Sequence, residues 1–393
     1  MKTVLFVHQS AEMYGSDKVL LSLVEGLDRS RFRPIVLLPS DGPLREELVA
    51  RGIATHVVPI VKVSRASFSL KGLLQLPFQI RQSLQAISRL VRLEEVSVVH
   101  SNTLAVLSGA LWARRYRIPH LWHVHEMIVH PRIARRLFPL FLRLWADRVV
   151  SNSIATEKLL LQVEPVLKPR SETIWNGMER AALPNPEAAV VFRQSIALQP
   201  GELLVVLMGR INRWKGQNLL VDAAIRLRAA GVTGVRYLIV GSPPEGQEHF
   251  LDALCEKISV SGMGEIVTVM GFQTDIWPIW DAADIAVVPS TEPEPFGMVA
   301  LEAMVAEKPV IAAGHGGLLD IVVDGETGLL FKPGDAGDFA LCLAKLFKDP
   351  ELRRDMGVAA CHRYQKTFSL GAYVSGFERV YSEMAEKTRS SRR

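Results

Sequence analysis

The chain has 393 residues, 48% hydrophobic and 22% charged, a composition that excludes a disordered polypeptide and exceeds what one core usually organises, so two domains are expected. Its net charge of +5 says less than where the charge sits, and no nucleic-acid recognition motif accompanies it, so no nucleic-acid partner is expected. Cys255, Cys342 and Cys361 lie far apart without a C-x-x-C pair, which argues against a disulfide framework or zinc knuckle and for a reducing compartment.

The opening MKTVLFVHQS carries one lysine and a short apolar run before His8. That run is too short for a signal peptide and reads as a first buried strand. No stretch approaches the roughly 18 apolar residues of a spanning helix, so a cytoplasmic protein is expected. Strands at Val4–Val7, Pro34–Leu38, His56–Pro59, Val96–His100, His120–His123 and Arg148–Ser151 alternate with helices at Ser16–Leu27, Pro43–Arg51, Leu70–Leu93, Leu104–Arg115 and Arg132–Ala146. Strands apolar on both faces and separated by helices imply a parallel sheet covered on both sides. Arg114, Arg115, Arg117, Arg132, Arg135, Arg136, Arg143 and Arg148 crowd this half, among Leu137, Phe138, Leu140, Phe141, Leu142 and Trp145. Such a helix suits an anionic membrane surface, and it suits equally a core helix with a solvated basic face.

Residues 182–200 carry prolines without a strand pattern and read as a linker. A second series follows at Leu203–Met208, Val235–Val240, Ile266–Met270, Ile285–Pro289 and Pro309–Ala312, again with helices between, and after Phe368 a last amphipathic helix runs into the polar tail TRSSRR. Two doubly wound α/β domains facing a cleft are predicted, with ligands at the C-terminal ends of the strands.

The strongest chemical signal is STEPEPFGMVALEAM, residues 290–304, where Glu294 and Glu302 stand eight apart after a buried strand and before a helix. A strand–loop–helix junction turns free N–H groups and the positive helix end towards phosphate or hydroxyl oxygens, and Gly297 lets the main chain come close. Next comes MGRINRWKGQNLL, with Arg210 and Lys215 at a strand end and a helix start. Two such cations suit a diphosphate and would stabilise charge on a departing nucleoside diphosphate. The glycine spacing is not that of a Walker A loop. In the first half, Gly15 lies in the loop after the first strand, where it lets the chain approach a phosphate or acceptor, and His123-Val124-His125-Glu126 ends another strand. His125 can donate a hydrogen bond at this strand end, while a metal-binding H-x-H pair is disfavoured because no set of partner carboxylates stands at ligand spacing.

With these motifs the chain resembles the retaining GT-B glycosyltransferases of family 4, called glycosyl transferases group 1, best over residues 201–335. The resemblance implies two Rossmann-like domains: an acceptor domain at 1–181 completed by a returning helix at 369–393, the linker, and a donor domain at 201–368. It implies that Glu302 binds the ribose, that Glu294 contacts the donor sugar, and that the amides of Phe296, Gly297 and Met298 reach sugar or diphosphate. Arg210 and Lys215 become the phosphate ligands, and His125 with Glu126 beside it faces the reacting sugar. Where family members often carry two adjacent glycines, this chain has Tyr14-Gly15. Asn176-Gly177 resembles an interdomain turn, and Gly314-His315-Gly316-Gly317 with Asp320 a glycine-rich loop near the donor; turn geometry explains both equally well.

The implied activity is transfer, with retention, from a nucleoside-diphosphate sugar to a glycan or lipid-linked acceptor in cell-surface polysaccharide or lipopolysaccharide assembly. No metal and no cofactor are expected, and an anionic membrane at the inner face of the cell membrane is a candidate partner. The alternatives are a non-catalytic sugar-nucleotide-binding subunit and a phosphorylase or epimerase on the same scaffold.

Overall fold

The computed structural model describes residues 1–63, 70–92, 95–128 and 132–391. Leu93, expected at a helix end, lies outside the described residues, as do the side chain of Arg132 and those of the polar tail. The chain divides into two units, Met1–Met178 with Ser369–Arg393, and Glu179–Phe368.

The first unit holds seven strands: β1 (Lys2–His8), β2 (Phe32–Leu38), β3 (Ala54–Val57), β4 (Val96–Asn102), β5 (His120–Val124), β6 (Arg148–Ser151) and β7 (Ser171–Thr173). They pair in parallel in the order β3-β2-β1-β4-β5-β6-β7, a doubly wound sheet. Val4 to Val7 of β1 are wholly buried because both faces are covered. Leu5 and Val7 pack with Ile35, Leu37, Val99 and Trp112. Phe6 faces the other way and meets the ring of Tyr381, centroids 6.1 Å apart.

Tyr381 belongs to the last helix, Leu370–Ser391. Its Oη lies 2.6 Å from His100 Nδ1, Arg148 bonds Glu383 at 2.8 Å, and Asp28 N–H donates to Glu378 at 2.7 Å, so this helix is part of the first unit. Asn176-Gly177 lies beneath it. A Cβ at Gly177 would stand 2.5 Å from Tyr373 Cβ and 2.6 Å from the Ser369 carbonyl oxygen, so the glycine is required by packing against the returning segment.

The second unit holds β8 (Leu203–Met208), β9 (Val235–Val240), β10 (Val267–Met270), β11 (Ile285–Val288), β12 (Val310–Ala313) and β13 (Gly328–Phe331), parallel in the order β10-β9-β8-β11-β12-β13. Leu220, Ala223 and Ala224 from the helix Gln217–Ala229, with Leu343 and Leu346 from Ala336–Lys348, close one face over Val205, Leu207, Val287 and Ile311.

Residues 182–200, expected as a linker, instead carry the helix Pro186–Ser195. Asn185 caps it by accepting from Ala188 N–H at 3.0 Å, and Pro186 occupies the first turn, where a missing N–H costs nothing. Arg193 fastens it to the second unit by donating to the Ala282 carbonyl at 2.6 Å and the Asp284 carboxylate at 3.1 Å. The prolines mark a helix start here.

In each sheet the strand order reverses beside the first strand, between β1 and β4 and between β8 and β11. The ends of those strands are where such sheets take ligands.

Candidate active site

In the second unit β8 leads into Gly209-Arg210 and β11 into Ser290. Lys215 Nζ donates to Glu294 Oε1 at 2.8 Å, with the side chains only 15% and 6% exposed. Ser290 Oγ donates to the same carboxylate oxygen. The lysine loop is tied by Asn212, whose Oδ1 accepts from Trp214 N–H at 3.1 Å and Lys215 N–H at 3.0 Å. Lys215 Nζ also lies 4.6 Å from the Trp214 ring centre.

Glycines bring the loops together. Gly216 has φ 81°, and a Cβ there would stand 1.9 Å from the Pro289 carbonyl oxygen, so only glycine lets the Lys215 loop close on the end of β11. Gly316 and Gly317 underlie the other side: Gly317 N–H donates to the Glu294 carbonyl at 2.7 Å, and a Cβ at Gly316 would stand 2.4 Å from that oxygen. The glycine-rich loop therefore supports Glu294. His315 donates from Nε2 to the Ser290 carbonyl at 2.8 Å; burial lowers its pKa, against the opposing pull of that carbonyl and of Glu294.

Phe296 is buried, which leaves its main chain alone for a ligand. Gly297 caps the helix Met298–Val305, and Met298 opens it. Glu302 accepts from Trp280 Nε1 at 3.4 Å. Arg210 is exposed, and its carbonyl accepts from Gln217 Nε2 at 3.0 Å.

In the first unit the strand ends form a network. His8, the last residue of β1, lies opposite Asn102, the last of β4, which lies opposite His123 of β5. His125 Nε2 is 2.8 Å from Asn102 Oδ1 and 3.1 Å from His123 Nδ1. Asn102 Nδ2 is 3.0 Å from His8 Nδ1, and His8 Nε2 is 2.5 Å from Asp17 Oδ1. Asp17 Oδ2 accepts from Tyr14 N–H at 2.9 Å, tying down the start of the helix Gly15–Gly26. Burial drives the His125 pKa down to about 3. The Glu126 carboxyl is pushed up to about 7 by burial, against N–H bonds from Leu104 at 3.0 Å and His125 at 3.1 Å. A Cβ at Gly15 would meet nothing within 4 Å, so the chain itself places no demand for glycine there.

The expected residues thus fall into two sets. Lys215 and Glu294 are in contact, with Gly297, Met298 and the Phe296 main chain on the loop that follows, and Glu302 bonds Trp280. His125, Glu126 and Gly15 lie in the other unit. Sequence reasoning missed Asp17, Asn102, Ser290 and Asn212, and passed over His8 as a binding group. A signal was available: apolar strands that end in His8, in His100-Ser101-Asn102 and in Ser151 carry polar residues where a purely structural strand needs none.

Residues 191–363 match the family model Glycosyl transferases group 1, and residues 13–181 match the model Glycosyltransferase Family 4. The chain is 34% identical over 241 residues, 60% of its own length, to a D-inositol 3-phosphate glycosyltransferase of Nocardia farcinica, and covers 52% of that protein. It is 31% identical over 253 residues to D-inositol 3-phosphate glycosyltransferase 2 of Catenulispora acidiphila, covering 63% of this chain and 58% of that one. It thus spans little more than half the length of these curated relatives. Among solved structures it resembles Anabaena HepE in complex with UDP-glucose, with TM-score 0.82, 24% identity, and coverage of 98% of this chain and 100% of that one. A glycosyltransferase from Rickettsia africae superposes with TM-score 0.84 at 21% identity, covering 98% of both chains. Each unit therefore matches a glycosyltransferase domain, and the fold of the chain is that of the family 4, group 1 glycosyltransferases.

Proposed function

We propose that this protein is a retaining glycosyltransferase that takes a sugar from a uridine-diphosphate donor. The observation that carries the reading is the Lys215–Glu294 bond at the β8–β11 reversal. An ammonium has three donors, and Glu294 takes one, so the others can hold diphosphate oxygens together with the Arg210 guanidinium. The cations then stabilise the negative charge that grows on the departing diphosphate as the glycosidic bond breaks, without calling on a divalent ion. Lys215 and Ser290 both bond Oε1 of Glu294, which leaves Oε2 to accept from a sugar hydroxyl. The helix start at Gly297-Met298 offers N–H groups to the donor, Glu302 holds the ribose, and His125 meets the reacting sugar. Uridine is favoured because HepE, of the same fold, was solved with UDP-glucose.

For the acceptor we infer a glycan or lipid-linked molecule at a membrane surface, in cell-envelope polysaccharide assembly. The helix Arg132–Trp145 supports this. It buries Ala134, Phe138 and Leu142, and on another face exposes Ile133, Leu140 and Leu144 by 67%, 38% and 51%, with Arg135, Arg136 and Arg143 on the same helix. Core packing and an exposed basic, apolar stripe coexist on one helix. Among the described residues no helix is long and apolar enough to cross a membrane, so attachment would be peripheral. A second reading, a phosphorylated cyclitol acceptor, is favoured by the named activity of the curated relatives.

The test is transfer from radiolabelled UDP-sugars to lipid-presented glycans and to soluble inositol phosphates, with the product anomer read by NMR. Transfer to the lipid-presented glycan with retained configuration is expected. Transfer to inositol phosphate alone would establish the second reading, inverted product would end the retaining assignment, and binding without transfer across both panels would end the enzymatic one.

A further inference from the structure

The chain from Asp17 to His125 assigns protons. A carboxylate only accepts, so the 2.5 Å contact with Asp17 Oδ1 places a proton on His8 Nε2. The Asn102 amide nitrogen, 3.0 Å from His8 Nδ1, only donates, so that ring nitrogen is the acceptor. A primary amide turned that way presents its oxygen on the other side, 2.8 Å from His125 Nε2, and an oxygen there requires a proton on that nitrogen. His123 Nδ1, 3.1 Å away, is a second acceptor for the same proton. His8, Asp17, Asn102 and His123 are all at most 1% exposed, so water cannot substitute for any of these partners.

We propose that Asp17, His8 and Asn102 are positioning residues that set the tautomer of His125, holding its proton on Nε2 so that Nδ1 meets the reacting sugar as a hydrogen-bond acceptor. This rests on the reading that His125 faces the sugar, and it reverses the donor role expected from the sequence. Asn102 turned the other way would put its oxygen on His8 Nδ1, place protons on both His8 nitrogens, and move the His125 proton to Nδ1. The orientation of one buried amide thus decides which face of the imidazole can accept, and the Asp17 carboxylate, which also holds Tyr14 N–H, anchors that orientation to the start of the first helix. The burial that drives the His125 pKa down to about 3 keeps the ring neutral, as an acceptor must be.

Long-range 1H–15N correlation spectra of the full chain labelled at its imidazoles read the tautomer directly. Wild-type His125 is expected with its proton on Nε2, and a His125 proton on Nδ1 would overturn the proposal. His8→Leu and Asn102→Leu should mix the tautomers and lower kcat on the order of tenfold to a hundredfold while donor KM moves little. His8→Gln, whose amide can donate to Asp17 and accept from Asn102, should recover most of the turnover. Asn102→Asp, which keeps an acceptor for His125 Nε2, should hold the wild-type tautomer and serves as the readout should the leucine variants not fold. An unchanged tautomer with unchanged kcat in a folded His8→Leu or Asn102→Leu, or a reversed tautomer in Asn102→Asp, would overturn the relay. Full turnover by His125→Ala would refute the reading of His125 as the sugar-facing group, and the spectra would still decide whether the relay exists.

Discussion

At the β1–β4 reversal the first unit finishes its strands with imidazole rings and an amide, whereas at β8–β11 the second unit sets a lysine against a glutamate. Burial holds His100 and His123 well below the ordinary imidazole range and His125 at about 3, so these three rings orient hydrogen bonds while uncharged. The second site pairs Lys215 with Glu294, and Ser290 bonds the same carboxylate. Sheets wound the same way can therefore be specialised by what terminates their strands. Neutral donors and acceptors suit an uncharged sugar or acceptor, and paired charge suits a diphosphate.

The largest break in this comparison comes from the charged side. Glu294→Ala should lower turnover by about a thousandfold, while the same truncation at Glu126 should cost far less; comparable losses in steady-state assays would erase the distinction between the sites. Next is the backbone. Gly216→Ala forces a Cβ into the Pro289 carbonyl at positive φ and should lower Tm on the order of 10 °C, whereas Gly15→Ala, facing open space, should move Tm by less than about 2 °C in calorimetry.

The smallest effect is a pH dependence confined to the first unit. Folding raises the Glu126 pKa from 4.5 to about 7, so the native state holds more protons than the unfolded chain across that window, and the group's contribution to stability falls as pH rises through it. His125 acts oppositely: lowered from 6.5 to about 3, it adds stability as pH rises between those values. Glu126→Gln removes only the falling part. Its Tm relative to wild type should climb from pH 4.5 to about 7 and then level off, and a constant difference across that range would place the Glu126 pKa near its ordinary value.

Much of the second unit was legible in the sequence because its signals are local. Glu294, Gly297 and Glu302 follow a buried strand within a single segment, and Arg210 and Lys215 share another. What joins them was not legible: that Gly216 closes on Pro289 and Gly317 on Glu294 follows from strand order, which brings β8 and β11 side by side. The same holds in the first unit, where His8 and Asn102 are 94 positions apart and meet only through the β1–β4 register. The strands β7 and β13 were passed over because they are three and four residues long, and the second is opened by a glycine. The helix Pro186–Ser195 was hidden by prolines that read as breakers although one of them begins it. Gly177, read as a turn, is fixed by Tyr373 and Ser369, nearly two hundred residues later.

The most direct test of the central claim is a thermal-shift titration of wild type and Lys215→Ala with UDP, since a ligand that binds only the folded state raises Tm with the logarithm of its concentration over Kd. The account predicts a dose-dependent rise for wild type and little or none for a folded Lys215→Ala. Equal shifts in the two proteins would mean that the diphosphate is held somewhere other than the Lys215–Glu294 site.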